Sequence, residues 1–272
     1  MSTHMSIDMF DTYIDSLSIY GSTGVGKDKF ELGREGKYSL QYIPFEHVNK
    51  NAKLVIVGIT PGPNQISLAY GTAQAMINSE KSKLEILKEV KNSASFGSKT
   101  MRPNLVKMLN HFEFNRILGI DDINKLWSSQ SNLLYSTSVI PHAAFSLKKG
   151  KDSPFSGSFD EVMKCELFHK CFLDCFLPSI NDINQDAMYV GLGPCPEQAL
   201  EWCVKNNYIR KDQVLGSMSH PSTQGGSSVG YFLREKRLED LNSKDPVRYR
   251  AEWLDLAYDK LTKSTDILKK LP

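Results

Sequence analysis

Four short apolar runs constrain this chain more than anything else in it: KLVIVG (53–58), LLYSTSVI (133–140), AMYVGL (187–192) and QVLGSM (213–218). Each reads as an interior strand. Between them lie helical patterns: LAYGTAQAMINSEKSKLEILKEV, IDDINKLWSSQ, SFDEVMKCELFHKCFLDCFL and PEQALEWCVKNN. Strands of this kind alternating with helices predict an α/β fold, a three-layer sandwich whose four-stranded, mostly parallel sheet is covered by helices on both faces. The C-terminal pattern PVRYRAEWLDLAYDKLTKSTDILKKL reads as an amphipathic helix packed outside. The expected organisation is one domain over residues 1–272, with a core of about 50–235 and helical additions at both ends.

Charge narrows the partners. With 33 basic against 31 acidic residues the formal net charge is +2, so any nucleic-acid contact must come from local patches. No apolar run approaches the roughly 20 residues of a membrane span. The N-terminus has no charged segment followed by an apolar one, which predicts a cytoplasmic protein. The opening MSTHM reads as a cloning scar before a natural start at Met5, and His4 is given no role. Five cysteines, an odd number without an export signal, are expected as reduced thiols. Cys165 with His169, and Cys171 with Cys175, are one helical turn apart, a spacing a metal can use. Their stretch is dominated by Phe, Leu, Met and Val at helical spacing, so a core helix with buried thiols is the expectation, with no metal. GSTGVGKD (21–28) matches G-x-x-x-x-G-K but puts Asp28 where a phosphate loop needs Ser or Thr, and Gly33 and Gly36 interrupt the residues where its helix should run. A surface loop is expected there.

In open α/β sheets ligands bind beyond the carboxyl ends of the strands. The loops after the four runs are ITPGPNQ, PHAAFSLKKGKDSPFSG, GPCPEQ and SHPSTQGGSSVGYF. The first and last form a pair: Gly58-Ile59-Thr60-Pro61-Gly62-Pro63 after the first strand, and His220-Pro221-Ser222 after the last. In this order and setting they resemble the two motifs of the uracil-DNA glycosylase superfamily, G-x-[D/N/E]-P-[Y/G] and H-P-S, over roughly residues 50–235. The resemblance implies a uracil-DNA-glycosylase-like fold and a monofunctional hydrolase of the N-glycosidic bond, needing neither metal nor diffusible cofactor.

The resemblance also implies roles. His220 would donate a hydrogen bond to the leaving base as negative charge develops. Pro61, Gly62 and Pro63 would form a rigid loop that lets backbone approach sugar and phosphate. Ser222, with Thr223 and Gln224 beside it, would contact the DNA backbone. Lys148 and Lys149 would track phosphates, as would Lys151, Arg234, Lys236 and Arg237. Tyr70, Phe145 and His142 lie on loops expected at the pocket, the first two as stacking faces for a flipped base.

The chain departs from the family pattern at three places. Thr60 stands where Asp, Asn or Glu usually handles water, which leaves Asn64 and Gln65 as substitutes that position water without ionising. Ser138 stands where an Asn usually reads uracil. A shorter side chain predicts a wider pocket and a bulkier base, such as a phage-type modified cytosine removed in antiviral defence, in place of plain uracil. The loop after His220 offers only Gln224 as a long side chain to fill a vacated stack, which predicts single-stranded or distorted DNA as the partner. A monomer is expected. Three further readings stand beside this one: a repair glycosylase for uracil or another deaminated base, a glycosylase-like module that binds nucleic acid without cutting, and an unrelated α/β enzyme acting on a nucleoside or other small phosphate compound.

Overall fold

The computed structural model of the chain describes residues 7–270; His4 and Met5 lie outside the described residues. In chain order the elements begin with α1 (Ile7–Tyr20), β1 (Glu31–Glu35), β2 (Tyr38–Gln41), β3 (Leu54–Gly58), α2 (Pro63–Met76), α3 (Lys83–Ala94), α4 (Met101–His111) and α5 (Phe114–Leu118). Next come β4 (Leu134–Ser138), β5 (Ala143–Lys148), β6 (Lys151–Pro154), α6 (Phe159–Lys164), α7 (Glu166–Cys171) and α8 (Leu177–Asn181). The remainder holds β7 (Met188–Leu192), α9 (Pro194–Lys205), β8 (Val214–Met218), α10 (Ser228–Phe232) and α11 (Ala251–Leu268).

These elements pack as two compact units. The first takes the described residues up to Lys50, then Gly58–Gly97 and Ser136–Ile183; the second takes Asn51–Val57, Ser98–Tyr135 and the described residues from Asn184 on. The chain passes from the second unit to the first at the end of β3 and again within β4.

The four expected strands form one parallel sheet in the order β4-β3-β7-β8. Val55 and Val57 of β3 stand beside Tyr189 and Gly191 of β7, and all five residues of β3 are buried, as a strand covered on both faces requires. Helices α9 and α11 pack on its β7–β8 side. Helix α11 lays Leu254, Ala257, Leu261 and Thr265 against β8, the stripe that its spacing predicts. Gly216 of β8, at φ 139°, lets that helix pass close: a Cβ there would sit 3.5 Å from the Leu261 backbone nitrogen. The fold is therefore α/β, with a four-stranded parallel sheet flanked by helices.

A second sheet, antiparallel in the order β1-β2-β5-β6, lies in the first unit. Its strands are short and only partly apolar, so no buried run announces them. Tyr13, Phe30, Tyr42 and Tyr70 stack beside it, with Tyr42 4.1 Å from Tyr13 and Tyr70 4.4 Å from Phe30 between ring centroids.

Several expectations need correction. The pattern from Leu68 to Val90 is two helices, because Ser82 caps α3: its hydroxyl accepts from the Glu85 N–H while the Glu85 carboxylate accepts from the Ser82 N–H. IDDINKLWSSQ holds only a 3-10 turn at Ile123–Trp127, capped by Asp122. The cysteine-bearing pattern is broken into α6, α7, a π-helical turn at Phe172–Phe176 and α8, with Cys165, Cys171 and Cys175 buried as thiols and not in disulfides. GSTGVGKD comes after helix α1, not a strand, and opens with a 3-10 turn at Gly21–Gly24. Tyr70, expected as a stacking face, has no exposed surface, since it lies on the inner stripe of α2 with Ile66, Ala69 and Ala73 and donates its hydroxyl to the Tyr42 carbonyl. Phe145 belongs to the same core, on β5 between Ser39 and Pro154. His142 is wholly buried, its ring 5.8 Å from that of Tyr42.

Candidate functional site

In the first unit the site is built around the end of β3. Gly58 is the last residue of that strand, and pairing with the segment after β4 continues past it, Val139 donating to the Gly58 carbonyl at 2.9 Å and Ile140 to that of Ile59 at 2.9 Å. A Cβ on Gly58 would meet Phe96 Cε1 at 3.3 Å and Ser138 Oγ at 3.4 Å, so the bare backbone is what lets ring and hydroxyl converge on the strand end. Phe96 sits at φ 51°, a left-handed backbone that costs a non-glycine residue of order 1 kcal/mol. It is held there by Gln65, whose Oε1 accepts the Phe96 N–H at 2.9 Å.

These groups bound a small recess of about 10 Å³, room for about one water. Phe45 and Phe96 supply aromatic surface, and Gln65, Lys91, Thr137 and Ser138 supply polar atoms. Among the described residues Thr137 Oγ1 is buried without a hydrogen-bond partner.

Lys91 is the unexpected member. It is 6% exposed, on the inner stripe of α3 with Leu87, Val90 and Ala94. Its Nζ donates to the Phe45 carbonyl at 2.9 Å and stands 4.8 Å from the centre of the Phe45 ring. Burial pushes its ammonium down to about 7, with the charge of Glu46 acting the other way. Glu46 is also buried; the Tyr42 hydroxyl donates to its Oε1 at 2.6 Å, and Oε2 has no partner among the described residues. Burial pushes its carboxyl up to about 8, against the pull of Tyr42 and Lys91. Neighbouring His47 is pushed down to about 4 by burial, then by Lys91 and Lys88.

The first loop is more structural than its motif suggests. The Thr60 hydroxyl donates to the His142 carbonyl at 2.8 Å and accepts from the Ala144 N–H at 2.8 Å, tying the loop to the start of β5. Its one proton is therefore used. Pro61 is buried and Gly62 half-buried; Pro63 opens α2, where its missing N–H costs nothing. Asn64 is exposed in that first turn, so of the three residues expected to handle water it alone keeps its amide clear of a backbone partner. Lys148 and Lys149 lie at the tip of the β5–β6 hairpin, where Lys149 and Gly150 have φ 50° and 74°, the two-residue turn that the twist of a hairpin favours. Both lysines and Lys151 are exposed.

The second unit carries the histidine. His220 comes after β8 and is half-buried. Its Nδ1 accepts from the Ser222 N–H at 3.3 Å and lies 2.9 Å from the Ser222 hydroxyl. An Nδ1 that accepts leaves the proton of the neutral ring on Nε2. Burial, then the positive charge of Arg250, pushes the imidazole down to about 4, so the ring is neutral at pH 7. The Asn104 side chain on α4 donates to the Pro221 carbonyl at 2.8 Å and pins the loop. Thr223 and Gln224 are exposed in a 3-10 turn after Ser222. Of the basic residues in this unit, Arg234 is committed to Asp255 and the Tyr258 ring, and Lys236 donates to Ser227 at 3.0 Å. Arg237 and Arg250 are exposed. Among the described residues no group of three or more His, Cys, Asp or Glu is arranged to hold a metal ion. No described helix is long and apolar enough to cross a membrane.

Reading the sequence for loops beyond strand ends finds His220 and Thr60 but not Phe96, Lys91, Glu46 or Asn104. For Lys91 the signal is its place on the apolar stripe of α3.

No protein-family model matches the chain. The chain is 28% identical over 234 residues to the uncharacterized protein YoxB of Bacillus subtilis (strain 168), covering 86% of this chain and 88% of that one. Among solved structures it is similar to the crystal structure of wild-type Pedobacter heparinus SMUG2, with a TM-score of 0.44 and 12% identity, over 97% of this chain and 98% of the other.

Proposed function

We propose that this chain is a DNA glycosylase that hydrolyses the N-glycosidic bond of a flipped pyrimidine outside the normal DNA set. The observation that carries the reading is His220, a neutral imidazole with Nδ1 occupied by Ser222 and its proton on Nε2. As the C1′–N bond breaks, the base leaves with the bonding electrons and negative charge grows on it. A neutral N–H donor stabilises that charge with the proton it already carries, without first having to take up a second one. Water then bonds to C1′, one of its protons reaches the base, and the products are a free base and an abasic sugar.

In this reading the base docks at the recess at the end of β3, which has to open to admit it. Its two aromatic walls and few polar atoms match the way extruded bases are held, by stacking and by hydrogen bonds to their edges. Asn64 is the residue on the first loop that positions water, and an amide does so without taking a proton. Ser222, Thr223, Gln224 and the lysines of the β5–β6 tip meet the DNA backbone in this reading. The chain acts as a monomer on single-stranded or distorted DNA, where extrusion costs least. Two substrate classes fit: a phage-type modified cytosine, removed in antiviral defence, and a deaminated base, removed in repair.

A second reading has its own support. The Thr60 hydroxyl is engaged by backbone on both sides, and no Asp or Glu lies between Asn51 and Ser79. A module that binds altered DNA without cutting it accounts for both facts. Mass spectrometry of bases released from single- and double-stranded DNA containing uracil, hydroxymethyluracil, hydroxymethylcytosine or its glucosylated form separates the two. Release of one base supports the glycosylase and names its substrate. Tight binding of the same DNA with no release supports the module and removes the enzyme reading.

A further inference from the structure

The turn that leads into α11 points an aromatic side chain outward. Its segment is Lys244-Asp245-Pro246-Val247-Arg248-Tyr249-Arg250, with a 3-10 turn at Pro246–Tyr249. Val247 anchors the turn from beneath with no exposed surface, whereas Tyr249 at its end is 87% exposed. The backbone is fixed on both sides. Asp245 accepts from the Val247 N–H at 3.0 Å and, through its other oxygen, from the Ser227 N–H at 3.3 Å. Arg248 donates to the Asn242 carbonyl at 3.1 Å and to that of Leu241. Gly226, at φ 62°, lets the two segments close on each other, since a Cβ there would meet Asp245 Oδ1 and Pro246 Cδ at 2.9 Å. The loop that follows His220 is thereby seated against the turn. Arg250 is exposed and stands near enough to His220 for its charge to act, after burial, in holding the imidazole down to about 4.

One exposed tyrosine is ordinary on a protein surface. Tyr249 differs in what stands around it: a fixed backbone, a guanidinium on the adjoining residue, and His220 in the same compact unit. From Lys244 to Arg250 there are three basic residues and one acidic, and that acid is spent on two backbone N–H groups. The ligand complementary to a flat ring beside cations is an unpaired polynucleotide strand, which alternates flat bases with charged phosphates. We infer that Tyr249 and Arg250 grip the DNA strand beside the extruded nucleotide, Tyr249 stacking on a neighbouring unpaired base and Arg250 pairing with a phosphate. The loop after His220 has Gln224 as its long side chain, and Tyr249 supplies the flat surface which that loop lacks. A base inside a duplex has both faces covered by its neighbours, so such a contact favours single-stranded or distorted DNA. Tyr249 and Arg250 lie beyond residue 235, outside the stretch that carries the motifs.

The inference rests on the reading of His220 as the residue that meets a flipped base, and it is tested apart from catalysis. Binding of the full chain to a fluorescein-labelled oligothymidylate is followed by anisotropy at several salt concentrations, with sedimentation of the protein alone beside it. Tyr249→Ala is expected to weaken binding about tenfold without changing the salt slope, as the loss of one stacked base requires. Its denaturation midpoint should not move, because the ring is exposed. Tyr249→Phe keeps the flat face and is expected to bind within about twofold of wild type. Arg250→Gln is expected to weaken binding and to lower the salt slope by about 0.7, the effect of one phosphate contact on a single strand. A Tyr249→Ala protein that binds as wild type does overturns the inference, and an altered sedimentation would then assign the ring to contact between copies of the chain. Equal losses in Tyr249→Phe and Tyr249→Ala, an unchanged slope in Arg250→Gln, or a wild type that does not bind the oligonucleotide overturn it too. Base release from DNA is measured in parallel. Binding that depends on Tyr249 without any base release leaves this inference standing and removes the glycosylase reading. Base release by a protein whose DNA binding is indifferent to Tyr249 does the reverse.

Discussion

The backbone N–H of Ser222 donates to Nδ1 of His220, two residues earlier, at 3.3 Å. That bond decides which nitrogen of the ring carries its proton. Together with burial and the charge of Arg250 it makes His220 a neutral Nε2–H donor, and this sets a pH dependence. Because the imidazole is pushed from 6.5 down to about 4, base release should hold level through pH 6 and fall only as pH approaches 4. Stability carries the same sign: the folded state disfavours the proton, so this contribution is complete above 6.5 and is lost as pH falls from 6.5 toward 4. A single-turnover pH profile alongside an NMR titration of His220 checks both, and an acid limb centred at 6.5 would show that the ring titrates as an ordinary histidine.

Thr60 is predicted to matter for folding more than for chemistry. Thr60→Val keeps the shape but strands the His142 carbonyl and the Ala144 N–H, which should cost about 1–3 kcal/mol in denaturant unfolding. Measured well below the unfolding transition, base release should remain within about twofold of wild type, a difference of under about 0.5 kcal/mol. A large fall in turnover with unchanged stability would restore the hydroxyl as a water-holding group.

Phe96 is predicted to stack on the bound base. Phe96→Leu retains most of the buried apolar volume but removes the flat face, so base release should fall about tenfold, in keeping with base–aromatic stacking of roughly 1–3 kcal/mol. DNA affinity should change little, because phosphate contacts dominate it. Equal turnover in the two proteins would make Phe96 a packing residue only.

Tyr70 supplies the matching control. Tyr70→Phe loses the hydrogen bond to the Tyr42 carbonyl and should cost about 1 kcal/mol of stability with no change in which base is released. A change in base preference would place Tyr70 in contact with substrate after all.

The contrast between Phe96 and Tyr70 shows how far the sequence carries. Strands β3 and β7 are legible because a strand covered on both faces must be an apolar run, and the loops after β3 and β8 are located by that placement. The antiparallel sheet is not legible, since its strands are short and half-polar and the pairing that joins its two hairpins, β2 with β5, links segments far apart in the chain. Tyr70 and Phe96 are both aromatics after β3, and only the three-dimensional path decides which faces the recess: Tyr70 falls on the inner stripe of α2, while Phe96 is turned by its left-handed backbone toward Gly58. Lys91 is hidden for a related reason. In KEVKN it reads as one of several charges on a solvated face, and its burial depends on the loop of Phe45 and Glu46 folding over it.

The most direct test of the central claim is single-turnover base release from a single-stranded oligonucleotide carrying the substrate base, comparing wild type with His220→Ala while DNA affinity is followed on the same samples. Wild type is predicted to release the base and the variant to fall by about 10²–10³, the cost of removing one donor to a developing anion, with DNA affinity and folding unchanged. Equal release by the two proteins, or DNA bound by wild type with no base set free, would contradict it.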